Sequence, residues 1–234
     1  MRLDKFFTHT GTMSRKECAQ AAKRGRISVG GKVVTDSAVH INENTDTVTL
    51  DGTVVTYMKY IYIMLNKPQG YVSSSDEPGE HTVLELLPEN IVKCDVFPSG
   101  RLDKDTTGLM IITNDGPSSH RALAPKSHVS KKYRYECADV LLPSDAEKMR
   151  AGITLADGYT TLPCELEMLG EKHGEIILHE GKYHQIKRMF GAVGNKITAL
   201  KRLSFGDILL DETLEEGAWR YLTDEEIKIF TGNK

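Results

Sequence analysis

The stretch GRLDKDTTGLMIITNDG, residues 100–116, sets one arginine and two carboxylates, Arg101, Asp103 and Asp105, immediately ahead of an apolar run. An acid before Thr-Thr-Gly suits a turn, because a short carboxylate hydrogen-bonds nearby backbone amides. The same acid at the edge of an apolar interior would be partly desolvated. It would then need a cation to stay ionised, and a carboxylate held that way is placed for catalysis. Lys187 and Arg188, in HQIKR, follow a strand on a helix, a position that aims a cation into a site. Spacing alone leaves Asp103 as either a turn former or a catalyst, and Lys187 as either its partner or a surface lysine.

Several other chemistries lack their residues. Cys18, Cys94, Cys137 and Cys164 are far apart with no C-x-x-C pair, so neither a zinc site nor a disulfide framework is indicated. There is no metal-ligand cluster, no phosphate-cradling glycine loop and no thiol-nucleophile motif, and neither a metal nor a cofactor is expected. No apolar run approaches the roughly 20 residues that span a bilayer. Arg2, Asp4 and Lys5 open the chain without an apolar signal core behind them. The expectation is a cytoplasmic, soluble protein that does not touch membrane.

The net charge of −3 conceals an asymmetry. Residues 1–34 hold 8 basic and 2 acidic side chains, a net of +6, and the remainder holds 22 and 31, a net of −9. Such a division suits a basic module that touches a polyanion, attached to a body that is not uniformly basic. Two later stretches are basic and free of acids: residues 116–135, with Lys131, Lys132 and Arg134, and residues 181–206, with Lys187, Arg188, Lys201 and Arg202.

The elements that must position these groups can be read from their punctuation. Ser14 and Glu17 form a capping-box pattern opening a helix that Gly25 closes, and RISVGGKVV reads as a hairpin turning at Gly30-Gly31. Further short strands turn at Asp51-Gly52. A boundary near Lys59 precedes YIYIMLNKPQG, whose consecutive apolar residues predict a strand buried on both faces and stopped by Pro68. Thr82 and Glu85 predict a short helix ending before Pro88. GLMIITNDG predicts a second buried strand, and KYRYECADVLL a third, with Tyr133, Tyr135 and Cys137 on one face. Ser144 and Glu147 predict a capped helix. Strand GEIILHEG leads into helix KYHQIKRMFGAVG, with Ile186, Met189, Phe190 and Val193 on its apolar side. KITALKRLSFGDILL supplies more strand, and Thr223 with Glu226 opens a last helix. The fold class expected is α+β: residues 1–58 as a small α/β domain, then residues 59–234 as a larger domain on a mixed, largely antiparallel sheet.

The first 57 residues resemble the S-four-type RNA-binding domain in RLDKF, SRKEC and GRISVGGKVV. That resemblance implies phosphate contacts from Arg15, Lys16, Arg24, Arg26 and Lys32. SGRLDKDTTGLMIITNDG resembles the central motif of pseudouridine synthases. LNKPQGYVSS, KKYRY and EGKYHQIKRMFGAVGNKITALKRLSFGDI are similar to the family's flanking motifs, in the order it requires. GKYHQIKRMFGAVG and the attached small domain point to the RsuA-like group. By that resemblance Asp103 is the catalytic acid, Tyr133 the aromatic that packs on the target base, and Lys187 the cation facing Asp103, where many synthases outside this branch carry Arg. Arg101, Lys131, Lys132, Arg188 and Arg202 are implied RNA contacts.

The implied reaction breaks the bond between uracil N1 and the anomeric carbon, turns the base and reattaches it through carbon 5. One carboxylate suffices, as nucleophile, as stabiliser of a sugar cation, or as base toward a sugar proton. The implied partner is ribosomal RNA or a partly assembled small ribosomal subunit, bound by a monomer. The same chemistry on large-subunit RNA, a non-catalytic RNA-binding assembly factor and a base-excising hydrolase are the alternatives.

Overall fold

Two apolar helices begin the chain because Leu3, Phe6 and Phe7 recur at helical spacing and Cys18, Ala21 and Ala22 do the same one helix later. The computed structural model describes residues 1–232 and places them as α1 (Leu3–His9) and α2 (Arg15–Lys23). Ser14 accepts from the Glu17 amide while Glu17 reaches back to the Ser14 amide, so the capping box forms. Gly25 follows the helix at φ +70. The strands β1 (Ile27–Val29), β2 (Lys32–Val33), β3 (Val48–Leu50) and β4 (Thr53–Val54) form an antiparallel sheet in the order β2-β1-β3-β4. Its hairpin turns at Gly30-Gly31 and Asp51-Gly52 have positive φ at both central residues, as tight hairpins require. Ile27 and Val48 close the apolar core beneath the two helices.

The chain divides into two units, and the first comprises Met1–Ile61 together with Leu87–Phe97. The expected single cut after residue 58 does not anticipate this return. Gly11 shows how close the returning segment packs within the first unit: at φ +63, an added Cβ there would lie 1.9 Å from the Asn90 carbonyl oxygen.

The second unit, Tyr62–Leu86 and Pro98 onward, is built on one large sheet. In chain order β5 (Tyr62–Lys67) is followed by α3 (Glu89–Val92), which lies in the segment that returns to the first unit, and then by β6 (Phe97–Ser99), β7 (Thr107–Thr113), α4 (Gly116–Leu123), β8 (Lys131–Cys137) and α5 (Pro143–Ala151). Then follow β9 (Glu165–Met168), β10 (His173–Leu178), α6 (Gln185–Ala192), β11 (Ile197–Phe205), β12 (Ile208–Leu209), β13 (Trp219–Tyr221) and α7 (Asp224–Thr231). Strand order along the sheet is β13-β5-β7-β11-β8-β10-β9, with β12 on β11 and β6 on β7. The β7–β11 pair is parallel, whereas β5–β7, β8–β11, β8–β10, β9–β10 and β5–β13 are antiparallel. This is the mixed, largely antiparallel α+β body that the sequence implies. All six residues of β5 are buried, as its unbroken apolar run predicts.

Several local expectations change. Thr82–Glu85 opens a single 3-10 turn, Val83–Leu86, and Pro88 caps the start of α3 rather than ending a helix. Ser144 and Glu147 form no capping box, because Pro143 already occupies the first helical position and Leu142 is the N-cap. α1, α4, β9 and β13 were not anticipated. In α4, Asp115 caps the helix by accepting from the Ser118 amide, and it also accepts from Tyr62 Oη at 2.7 Å, so the Asn-Asp-Gly after β7 is a helix start. Among the described residues no helix is long and apolar enough to cross a membrane.

Candidate active site

A cleft of about 740 Å³ opens on the second unit, lined by Asp103, Tyr133, Lys187, Arg101, Lys131 and Arg202 among others. The residues 100–116 stretch delivers Asp103 to it through a turn in which the Thr106 amide donates to the Asp103 carbonyl at 3.1 Å. Thr106 and Leu102 are buried on either side, so the loop is anchored while the Asp103 side chain keeps 24% exposure.

Asp103 Oδ2 lies 2.8 Å from Lys187 Nζ, and its Oδ1 lies 3.4 Å from His184 Nε2. Lys187 is aimed there by α6, which turns Ile186, Met189 and Phe190 into the core and leaves Lys187 on the opposite side. The same ammonium reaches Asp105 Oδ1 at 2.5 Å, and thus bridges two carboxylates. Burial by itself would lower the Lys187 pKa. Hydrogen bonds to Asp103 and Asp105 outweigh that and hold it above its ordinary value. For Asp105, burial works upward, but the Lys187 ammonium overcomes it and keeps the carboxyl below its ordinary value. Asp105 is therefore more than a turn former.

The start of α6 is unusual. His184 is a non-glycine residue at φ 49 and ψ 34, a left-handed conformation that the surrounding bonds hold in place. Gln185 accepts from the Lys182 amide at 3.0 Å and donates to Glu180 at 2.6 Å. Glu180 in turn accepts from Tyr159 Oη and the Leu162 amide. Tyr183 stacks on His184 at 3.8 Å and is 75% exposed, a large aromatic left at the cleft rim.

Beneath the loop, Lys67 is fully buried and donates to the carbonyls of Pro68, Lys104 and Thr106 at 3.1, 3.2 and 2.8 Å. It ties the end of β5 to the loop that carries Asp103. Burial pushes its pKa down to about 8, with Asp105 and Asp103 opposing only in part. Below pH 8 both folded and unfolded chains hold this proton. Between about 8 and the ordinary value of 10.5 the folded protein releases it first, so the unfolded chain binds more protons and stability rises with pH. Lys67→Met should remove a rise on the order of 3 kcal/mol across that window. Urea unfolding of both proteins at several pH values, followed by fluorescence of Trp219, measures the difference; parallel pH profiles would refute it.

The remaining sequence candidates fall into different environments. Tyr133 is half-buried on the same face of β8 as Tyr135, which packs on Phe190 with ring centroids 4.8 Å apart. Arg101 is exposed at the cleft. Lys132 and Arg134 both pair with Glu175, and Arg188 pairs with Asp157 at 2.5 Å. On the first unit Arg15, Lys16, Arg24 and Lys32 are exposed, while Arg26 is paired with Asp51. Arg202 is a correction: it is 2% exposed, because β11 lies between β7 and β8 in the sheet, so it cannot belong to a surface track. Lys131 too is largely desolvated, and its pKa falls to about 8 through burial.

Comparison with known proteins places this geometry. A family model described as RNA pseudouridylate synthase matches residues 61–192. The chain is 44% identical to the ribosomal small subunit pseudouridine synthase A of Vibrio cholerae, over 97% of this chain and 98% of that one. It is 40% identical to an uncharacterized RNA pseudouridine synthase of Bacillus subtilis, over 98% of both. A solved structure titled as a pseudouridylate synthase superposes with a TM-score of 0.70 at 36% identity, covering 98% of this chain and 99% of that one. The carboxylate loop and its lysine thus stand within the residues that the family model matches, and the chain belongs to the RNA pseudouridylate synthase family.

Proposed function

We propose that this enzyme converts a uridine of small-subunit ribosomal RNA to pseudouridine, with Asp103 as the catalytic carboxylate. The observation that carries the reading is Asp103 in an open cleft with Lys187 Nζ 2.8 Å away, an acid whose side chain faces a cation rather than the backbone amides of its own turn. The small-subunit assignment is supported by the 44% identical relative, whose name specifies that RNA. The protein works in the cytoplasm as a monomer, on free RNA or a partly assembled subunit.

The target base leaves its stack to reach the cleft, at a cost of a few kcal/mol in a paired helix. Tyr133 offsets part of that by packing on the base, roughly 1–3 kcal/mol by analogy with single-stranded complexes. Lys187 pairs with Asp103 and orients it, and Arg101 contacts the RNA beside the extruded nucleotide. Asp103 then acts on the sugar, as nucleophile or as base. The first unit serves as an RNA tether through Arg15, Lys16, Arg24 and Lys32.

Mapping pseudouridine in ribosomal RNA from cells with and without the protein tests the reading. Loss of one site in small-subunit RNA is expected. Loss confined to large-subunit RNA would move the substrate, and no loss anywhere would overturn the function. The tether has its own test. Replacing Arg15, Lys16 and Arg24 together by Gln should flatten the dependence of log affinity on log salt by about 0.7–0.9 per lost phosphate contact. An unchanged slope would make the helix a spectator.

A further inference from the structure

Two cations that the sequence places on an exposed RNA track lie instead in the cleft. Arg202 donates through Nε to the Leu109 carbonyl at 2.6 Å, and its Nη2 is buried without a hydrogen-bond partner among the described residues. Lys131 approaches from the neighbouring strand, where Nζ donates to the Val129 carbonyl at 2.7 Å. Both cations lie over the ring of Phe205, at 5.5 and 5.7 Å from its centroid. Tyr133 stands opposite Arg202 in the β8–β11 register, so the two side chains lie on the same face of the sheet. Lys131 and Tyr133 are two residues apart on one strand, and so share its face.

The electrostatics of this group are the reverse of those at Lys187. Burial lowers the pKa of both Lys131 and Arg202, the two cations repel, and no carboxylate acts on either among the described residues. Desolvated cations without a counter-ion are costly, and an anion arriving between them removes that cost. A backbone phosphate is a poor fit, because the chain that bears it must leave along the rim while Arg202 lies at the floor. The extruded base reaches further in.

The reaction supplies a suitable anion by either route. Cleavage leaves the N1–C1′ bonding pair on uracil N1, delocalised onto O2 and O4. The sugar is then bonded to Asp103 through C1′, or has given a C2′ proton to Asp103 to form a glycal that recovers it on reattachment. Carbon 5 then bonds to C1′, its proton leaves, and N1 takes one up, so no atom is gained or lost. We propose that Lys131, backed by Arg202 and Tyr133, forms a cationic floor that stabilises the uracil anion between cleavage and reattachment, an inference that rests on the uridine-isomerase reading. Lys131 meets the base; Arg202 is a positioning residue that acts through Tyr133 and through its field on Lys131.

The test uses Lys131→Met and Lys131→Arg in the full-length enzyme. Single-turnover rates are measured on small-subunit RNA transcribed with uridine and with 4-thiouridine, whose sulfur disperses the ring anion. Lys131→Met should slow the uridine reaction roughly 10²–10³-fold with little change in RNA affinity, the scale of losing one buried anion-stabilising donor. Lys131→Arg should recover most of the rate, and the Met penalty should shrink severalfold on the 4-thiouridine RNA. Equal penalties on both RNAs would overturn the proposal. So would a loss confined to affinity with a flatter salt dependence, which would make Lys131 a phosphate contact. Absence of pseudouridine from the wild-type reaction would instead sink the isomerase reading itself.

Discussion

Asp103→Asn should abolish pseudouridine formation, by at least ~10⁴-fold on the scale of essential members of a catalytic unit, while RNA binding persists. Asparagine keeps the volume and much of the hydrogen-bonding shape of the carboxylate, but it can neither attack a sugar carbon nor accept a sugar proton effectively. The loop should survive the change, because Lys187 retains Asp105 at 2.5 Å and Lys67 still ties the Lys104 and Thr106 carbonyls from below. Loss of activity can therefore be assigned to chemistry rather than to a collapsed site. Nucleoside mass spectrometry measures product and a filter-binding titration measures affinity. Retained turnover would remove Asp103 from the mechanism, and a non-catalytic RNA-binding factor would show no functional change at all.

A large stability effect is expected at Gly108. It sits at φ +97 opposite Arg202 in the parallel β7–β11 pairing, and an added Cβ would lie 2.3 Å from the Arg202 carbonyl oxygen and 2.8 Å from its amide nitrogen. Those neighbours are backbone atoms of a central strand, so they cannot swing aside as a side-chain tip would. Gly108→Ala should destabilise the second unit by about 3 kcal/mol or more, combining an unfavourable backbone conformation with a broken strand pair. Trp219 is the only tryptophan in the chain and lies on β13, within that unit, so its fluorescence follows this transition. Gly191→Ala is the control: it is exposed in α6 with nothing within 4 Å of the added carbon, and should be neutral or slightly stabilising. Equal midpoints for the two variants would contradict the close-approach argument.

The strands and capped helices with strong local signals were legible in the sequence. β5 announces itself by consecutive apolar residues stopped at Pro68, and α2 and α7 by reciprocal Ser/Glu and Thr/Glu caps. α4 escaped because Gly-Pro-Ser-Ser is poor helix sequence, and its stability comes from the Asp115 cap and the Tyr62 bond to it, which joins residues 53 apart. β13 is three residues long and is fixed by its pairing to β5, information that no local window holds. In the site, residue types pointed to an acid and a cation, but the sharing of Lys187 by two carboxylates depends on where α6 delivers its nitrogen. The interior position of Arg202 was hidden for a related reason: charge patterning sorts residues by type, and burial here is set by the strands on either side. Lys67 did leave a trace, as a lysine ending a strand otherwise fit for a core.

The return of Leu87–Phe97 to the first unit means that the polypeptide passes between units after residues 61, 86 and 97. The amino-terminal piece is thus not a cassette that recombination could cut out and graft cleanly at one junction. During synthesis it also cannot finish assembling until the segment through Phe97 has left the ribosome, by which time β5 is already exposed and waiting for β7. A transplant carrying residues 1–58 alone would bring the basic helix and hairpin but leave Gly11 without the backbone it was shaped to meet.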